Sequence, residues 1–238
     1  MSPLLSSALS GMRRNLLPGV ILWSLGLALV WAYYRAPVAL PWFQTVAQWR
    51  DAGGFLFSAG ASAICGGLIP WLFLFALGRL PPGRRLAELA FLVLFWVYRG
   101  VEVDAFYRLQ GVVWGDGTDA ATVVPKVATD MLIYTALWSI PTTTLIYAWW
   151  DEAGRDWRRF TALLTPAMFT LRIPSVVIAA WMVWTPTVAI VYSLPPLLQI
   201  PLFNVVLVFW VLLVAVVAAP APSSGAAGPP HPTKGDQG

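Results

Sequence analysis

Long apolar stretches separated by short polar breaks dominate the chain. Residues 17–35, 54–79, 86–106, 128–150 and 198–219 each approach or exceed the roughly 20 apolar residues a helix needs to cross a bilayer. A sixth stretch, 174–195, is equally apolar but contains Pro186 and is bounded by Pro174 and Pro195. The apolar positions run on without alternating, which argues against a β-barrel. The pattern predicts an all-α polytopic integral membrane bundle of five to six transmembrane helices. Segments of this length leave no room for a separate soluble domain. The expected organisation is a short N-terminal segment (1–16), a bundle (17–219) and a tail (220–238) whose proline, glycine and serine content predicts disorder.

Within the stretches, two patterns concern packing. Ser58, Ser62 and Gly66 repeat every four residues, as do Ala59, Ala63 and Gly67, so two small-residue stripes run down one helix and allow another to approach closely. Pro141 lies mid-span and frees a carbonyl, with Thr142, Thr143 and Thr144 beside it; a kinked helix and a hydroxyl-lined polar path both fit.

A third pattern is electrostatic. The segment 99–108, RGVEVDAFYR, follows an uninterrupted apolar run of residues 89–98 only. That run gives about 15 Å of helix against a hydrocarbon core of ~30 Å, so the helix must carry charges toward the membrane. At helical spacing Arg99 and Glu102 share one face with Phe106, while Gly100, Asp104, Tyr107 and Arg108 lie nearly opposite. The charges therefore form an i,i+3 pair and an i,i+4 pair, each able to neutralise itself. They either anchor a helix end in the headgroups or face a hydrated path.

Composition sharpens the class. The chain is 58% hydrophobic and 11% charged, with a mean hydropathy of +0.70. Its net charge of +4 reads as a topology signal. Arg13, Arg14, Arg79, Arg84, Arg85, Arg155, Arg158 and Arg159 gather on one side if the N-terminus is inside, and the longest outer loop carries Asp116 and Asp119. Basic residues scattered through short loops give no nucleic-acid footprint. The first apolar segment is longer than a signal-peptide core and lacks a small-residue cleavage site, so it reads as a retained helix. Cys65 is the only cysteine and His231 the only histidine, which leaves no disulfide, no histidine-based nucleophile system and no cysteine or histidine metal site. The segment 115–122, GDGTDAAT, lacks the spacing of a phosphate or calcium loop and reads as a polar turn.

Three motifs carry a resemblance. Gly100 to Tyr107, GVEVDAFY, resembles the G-P-x-x-H-x-W-Y signature of the Mpv-seventeen and peroxisomal-membrane-protein-twenty-two family. Lys126 and Asp130 match its K-x-x-x-D-Q. Trp181, Trp184, Pro186, Tyr192, Pro196, Asn204 and Trp210 follow its W-x-x-W-P segment and what comes after. The motifs fall in the family's order across about residues 86–215. The chain departs at Val101, Asp104, Phe106, Met131 and Val191, where the family has proline, histidine, tryptophan, glutamine and asparagine, and residues 1–50 have no counterpart. The resemblance implies a divergent bacterial relative in the inner membrane, or a mitochondrial inner or peroxisomal membrane protein if the source is eukaryotic. Since some members are reported to form weakly selective pores, it also implies a membrane passage without naming a cargo.

Two functions are expected to compete. In one, a small-solute pore or transport-related protein is lined by Arg99, Glu102, Asp104, Arg108, Lys126, Asp130 and Arg172. In the other, a non-transporting scaffold or assembly factor uses the same residues as structural pairs. No catalytic residue, metal ligand or cofactor is expected, and the chain is not read as an enzyme. The expected partners are the lipid bilayer and small solutes or ions, with a homo-oligomer left open and nucleic acid excluded.

Overall fold

The computed structural model describes residues 3–80 and 82–217, with side chains described at residue 16 and within 19–212. The tail at 220–238 lies outside the described residues. The described chain is all-α, in seven helical rods. These are α1 (Pro3–Arg35), α2 (Pro37–Ala76), α3 (Arg85–Trp114), α4 (Ala120–Glu152), the short α5 (Trp157–Leu163), α6 (Met168–Tyr192) and α7 (Pro196–Val217). Three of them, α2, α4 and α6, are long and apolar enough to cross a membrane.

Several rods outrun their expected bounds, for identifiable reasons. Helix α1 begins at Pro3, so its backbone runs unbroken through the segment expected to precede the first span. Helix α2 begins at Pro37 and passes through the Gly53–Gly54 pair, which was expected to bound a span at 54. Gly54 takes φ 52° and ψ −129°, a glycine-favouring conformation that kinks the rod without ending it. Helix α3 does not stop at 106 but continues to Trp114, because nothing breaks it before Gly115 at φ 84°. The charged segment 99–108 was expected at the far end of an apolar helix; it lies near the middle of a 30-residue rod, about 45 Å long. Pro186 does not interrupt α6. Beside it the Val183 carbonyl accepts from the Thr187 hydroxyl (2.7 Å) and the Trp23 indole (3.0 Å), so both the helix and its neighbour α1 help satisfy the backbone there.

Wide π turns interrupt three rods, at Ala63–Leu68 in α2, at Asp130–Ser139 and Ala148–Glu152 in α4, and at Met168–Arg172 in α6. Near Pro141 the Thr142 hydroxyl donates to the Trp138 carbonyl at 2.6 Å, giving that backbone oxygen a partner beside the proline. The polar turn before α4 is an N-cap. Asp119 accepts from the backbone of Ala121 (2.9 Å) and Thr122 (3.2 Å), and the Thr122 hydroxyl, with these amides, holds its carboxyl below the usual range.

In the assembled bundle α1 lies along α6 and α7, while α2 crosses α3 and leans on α7. One core gathers around Tyr192, Val191, Val183, Val103, Tyr107 and Leu207's neighbour Val206; a smaller one at the other end surrounds Ala148, Phe160 and Met168. The polarity is inverted relative to a protein built for water. Leu56 and Val112 are each 84% exposed, while Asp104 is 0% and Lys126 1% exposed. Apolar rods facing outward around buried polar groups are compatible with a membrane location.

The α2–α3 crossing depends on the Ser58–Ser62–Gly66 stripe. A β-carbon at Gly100 would sit 2.3 Å from the Ser58 carbonyl oxygen and 2.7 Å from the Ser62 side chain, and one at Gly66 would strike the Trp96 ring. Gly100→Ala is therefore expected to force the two helices apart and cost about 1–3 kcal/mol, as overpacking does. Thermal unfolding in detergent checks this; an unchanged midpoint would show that the crossing has slack.

Candidate functional site

The two pairs expected on α3 both form, and each is enlarged by a neighbouring helix. Arg99 Nη1 donates to both Glu102 oxygens, at 2.8 and 3.0 Å, and Arg99 Nη2 donates to Ser139 Oγ of α4. Glu102 also accepts from the Tyr134 hydroxyl (2.7 Å) and the Trp138 indole (3.0 Å). This pair thus ties α3 to the π turn of α4, with the Arg99 guanidinium over the Tyr134 ring at 5.8 Å.

The opposite face holds a deeper network. Asp104 Oδ1 accepts from Arg108 Nε at 3.0 Å and from Arg50 Nη2, and Asp104 Oδ2 accepts from Ser58 Oγ at 2.7 Å. The side chain of Arg108 is 46% exposed, whereas that of Arg50 is 6% exposed. Arg50, which lies before the predicted span 54–79, is therefore the buried partner. Its Nε has no hydrogen-bond partner among the described residues, so its burial rests on Asp104. A signal for it was present. Extending the small-residue stripe backward in fours from Ser58 reaches Gly54 and then Arg50.

Lys126, Asp130 and their surroundings form a third group. Asp130 Oδ2 accepts from the Tyr192 hydroxyl (2.9 Å), and Asp130 Oδ1 accepts from Thr135 Oγ1 (3.2 Å). The second contact spans five residues, a separation the wide turn of Asp130–Ser139 brings onto one face. The Lys126 ammonium lies over the Tyr192 ring at 5.7 Å, and the Lys126 carbonyl accepts from Gln110 Nε2 at 2.8 Å. Arg172 is elsewhere. It pairs with Glu152 near the Gly154 turn, both side chains substantially exposed, and joins none of the buried networks.

The residues carrying the family resemblance occupy the same interior. Gly100 makes the α2–α3 crossing. Trp181 donates to the Met131 carbonyl at 2.9 Å, fixing α6 to the wide turn of α4. Trp184 packs against Trp210 with ring centroids 5.9 Å apart. Asn204 accepts from the Ser62 hydroxyl at 2.8 Å and donates to the Ile200 carbonyl at 3.0 Å. Pro196 opens α7 and Pro186 lies within α6.

Two cavities follow one another along α3. The inner, about 420 Å³, is lined on α3 from Phe95 to Tyr107, on α4 by Asp130, Tyr134 and Thr143 among others, and on α7 from Phe203 to Val211. The outer, about 410 Å³, is lined on α3 from Tyr107 to Val112, by Arg50 and Asp51 of α2, by Asp116, and on α7 by Pro196 to Ile200. Tyr107, 6% exposed, borders both. Its ring packs on Tyr192 with centroids 5.0 Å apart. From the inner to the outer lining the α3 residue numbers rise while those of α7 fall, as two antiparallel rods require, so the cavities are stacked along the bundle axis. Among the described residues, no three His, Cys, Asp or Glu side chains gather where they could hold a metal ion.

Comparison with known proteins gives no further identification: no family model, no curated protein and no solved structure matches the chain.

The buried network makes a stability prediction. Asp104→Ala leaves Arg50 buried without its counter-charge and is expected to cost about 3–5 kcal/mol, whereas the Arg50→Ala, Asp104→Ala double variant costs less than the sum of the single variants. Chemical unfolding of the four proteins in detergent measures the cycle. Additive losses would mean that the two side chains are solvated independently.

Proposed function

We propose that the protein is an integral membrane protein with five to six spanning helices that provides a passage for small solutes, as its resemblance to the Mpv-seventeen and peroxisomal-membrane-protein-twenty-two family implies. The spans are α2, α4 and α6 together with α1, α7 and the charge-bearing α3. Its N-terminus is inside, and its membrane is the bacterial inner membrane. The carrying observation is the pair of stacked cavities that meet at Tyr107. Buried polar groups cost several kcal/mol each in a bilayer unless satisfied, so polar residues beside axial cavities favour a passage over inert filling. The phenol of Tyr107 is the barrier between the two halves, and Arg50, Asp51, Arg108 and Asp116 set the charge of the outer one.

The scaffold reading has one observation in its favour. The Arg99–Glu102 and Arg50–Asp104 groups are tied to Ser139, Tyr134 and Ser58, contacts that a purely structural role would also need.

Permeation separates the two. Protein reconstituted in liposomes is expected to release trapped potassium and small metabolites, with Tyr107→Ala increasing the rate several-fold while keeping the fold by circular dichroism. Liposomes no leakier than protein-free controls, with wild-type and variant alike, would give the scaffold reading the lead.

Topology is tested separately. In a Cys65→Ala background, cysteines placed at Arg84 and at Asp119 are expected to react with an impermeant reagent from opposite faces of sealed vesicles. These positions lie beyond the two ends of α3, so labelling from the same face would rule out α3 as a span.

A further inference from the structure

The chemistry of the inner cavity specifies what it holds. Its walls are aromatic on four helices: Trp96 and Tyr107 of α3, Tyr134 of α4, and Trp184 of α6, which packs against Phe203 (6.0 Å) and Trp210 (5.9 Å) of α7. Two charged groups line it, Arg99 and Asp130. The Arg99 charge is already matched, because Glu102 takes two of its hydrogen bonds and Ser139 a third. Asp130 has no such match. Its partners are the neutral hydroxyls of Tyr192 and Thr135, and no ion pair among the described residues includes it. Lys126, one turn away, lies over the Tyr192 ring and lines neither cavity.

We infer that the inner cavity is a binding site for a small organic cation, a quaternary or protonated amine, held by the Asp130 carboxylate and the faces of the surrounding rings. Aromatic faces carry negative quadrupole potential and attract a cation within about 6 Å, most strongly when both are out of water. A volume near 420 Å³ falls within the range of small-molecule sites. An anion would meet an Arg99 charge already paired with Glu102. A metal ion, which takes six or more oxygen ligands when it is calcium-like, would find mostly carbon. This names the solute class for the passage proposed above and rests on that reading for its physiological meaning; binding itself does not depend on it. A quaternary amine reaches such a site either as a free solute or as a lipid headgroup.

The test uses the purified full-length protein in a maltoside detergent, with isothermal titration calorimetry. Choline is expected to bind saturably, and its neutral carbon isostere, dimethylbutanol, at least about tenfold more weakly. Acetate is expected not to bind. Asp130→Asn should weaken choline about tenfold or more, and Trp184→Leu should weaken it while Trp184→Phe retains it. Equal binding of choline and its isostere by the wild-type protein, or no choline binding, would overturn the inference without any variant having to fold. Repeating the titration in nanodiscs of equal phosphatidylglycerol content, the remainder being phosphatidylcholine or an uncharged glycolipid, identifies the source: weaker choline binding with phosphatidylcholine supports a headgroup occupant, and equal affinity supports a free solute. Choline binding with impermeable liposomes leaves the site and removes the passage. Permeable liposomes with no choline binding leave the passage and remove this solute class.

Discussion

Asp104 has no contact with solvent, and much of the bundle is arranged to meet its charge. A carboxylate in that position requires a cation, a hydroxyl and a way for a second helix to come close enough to deliver them. Helix α2 provides all three: Arg50 and Ser58 reach the carboxylate, and the serine and glycine stripe against Gly100 sets the approach. The same crossing continues at Gly66 against Trp96, and Ser62 reaches on to Asn204 of α7. A bulkier residue on the stripe would therefore move three helices.

Once α2, α3 and α7 are fixed in this way, the interior beside them is left as two stacked cavities. The wide turn Asp130–Ser139 of α4 and Trp184 and Val188 of α6 complete the inner one. Its polar groups are placed by geometry that an ordinary α-helix would not give: Asp130 meets Thr135 across five residues and Tyr192 across sixty-two positions of the chain. The outer cavity is more polar, with Arg50, Arg108, Asp51 and Asp116 in its lining. Tyr107 lines both, and its ring is held by Tyr192 and Phe203.

What depends on local spacing was legible in the sequence. The helical class, the Ser58–Ser62–Gly66 stripe and both ion pairs on α3 follow from periods of three and four residues. What depends on distant partners was not. Arg50 falls outside the predicted span 54–79, whereas the rod begins at Pro37 and Gly54 only kinks it. The charged segment was placed at a helix end because the span was bounded at 106, yet Leu109 to Trp114 prolong the helix on its other side. Arg172 was grouped with the other charges, whereas its partner is Glu152, twenty residues earlier in the chain, and both side chains are substantially exposed. Nothing in the pattern could show that a wide turn brings Asp130 and Thr135 together.

The central claim is that Tyr107 closes a continuous path between the two cavities. The most direct measurement is the accessibility of a cysteine at Thr143, in the inner cavity, to a small water-soluble thiol reagent added from the Asp116 side of sealed vesicles in a Cys65→Ala background. The account predicts slow modification with Tyr107 intact and rapid modification in Tyr107→Ala. Equal rates in the two proteins would contradict it.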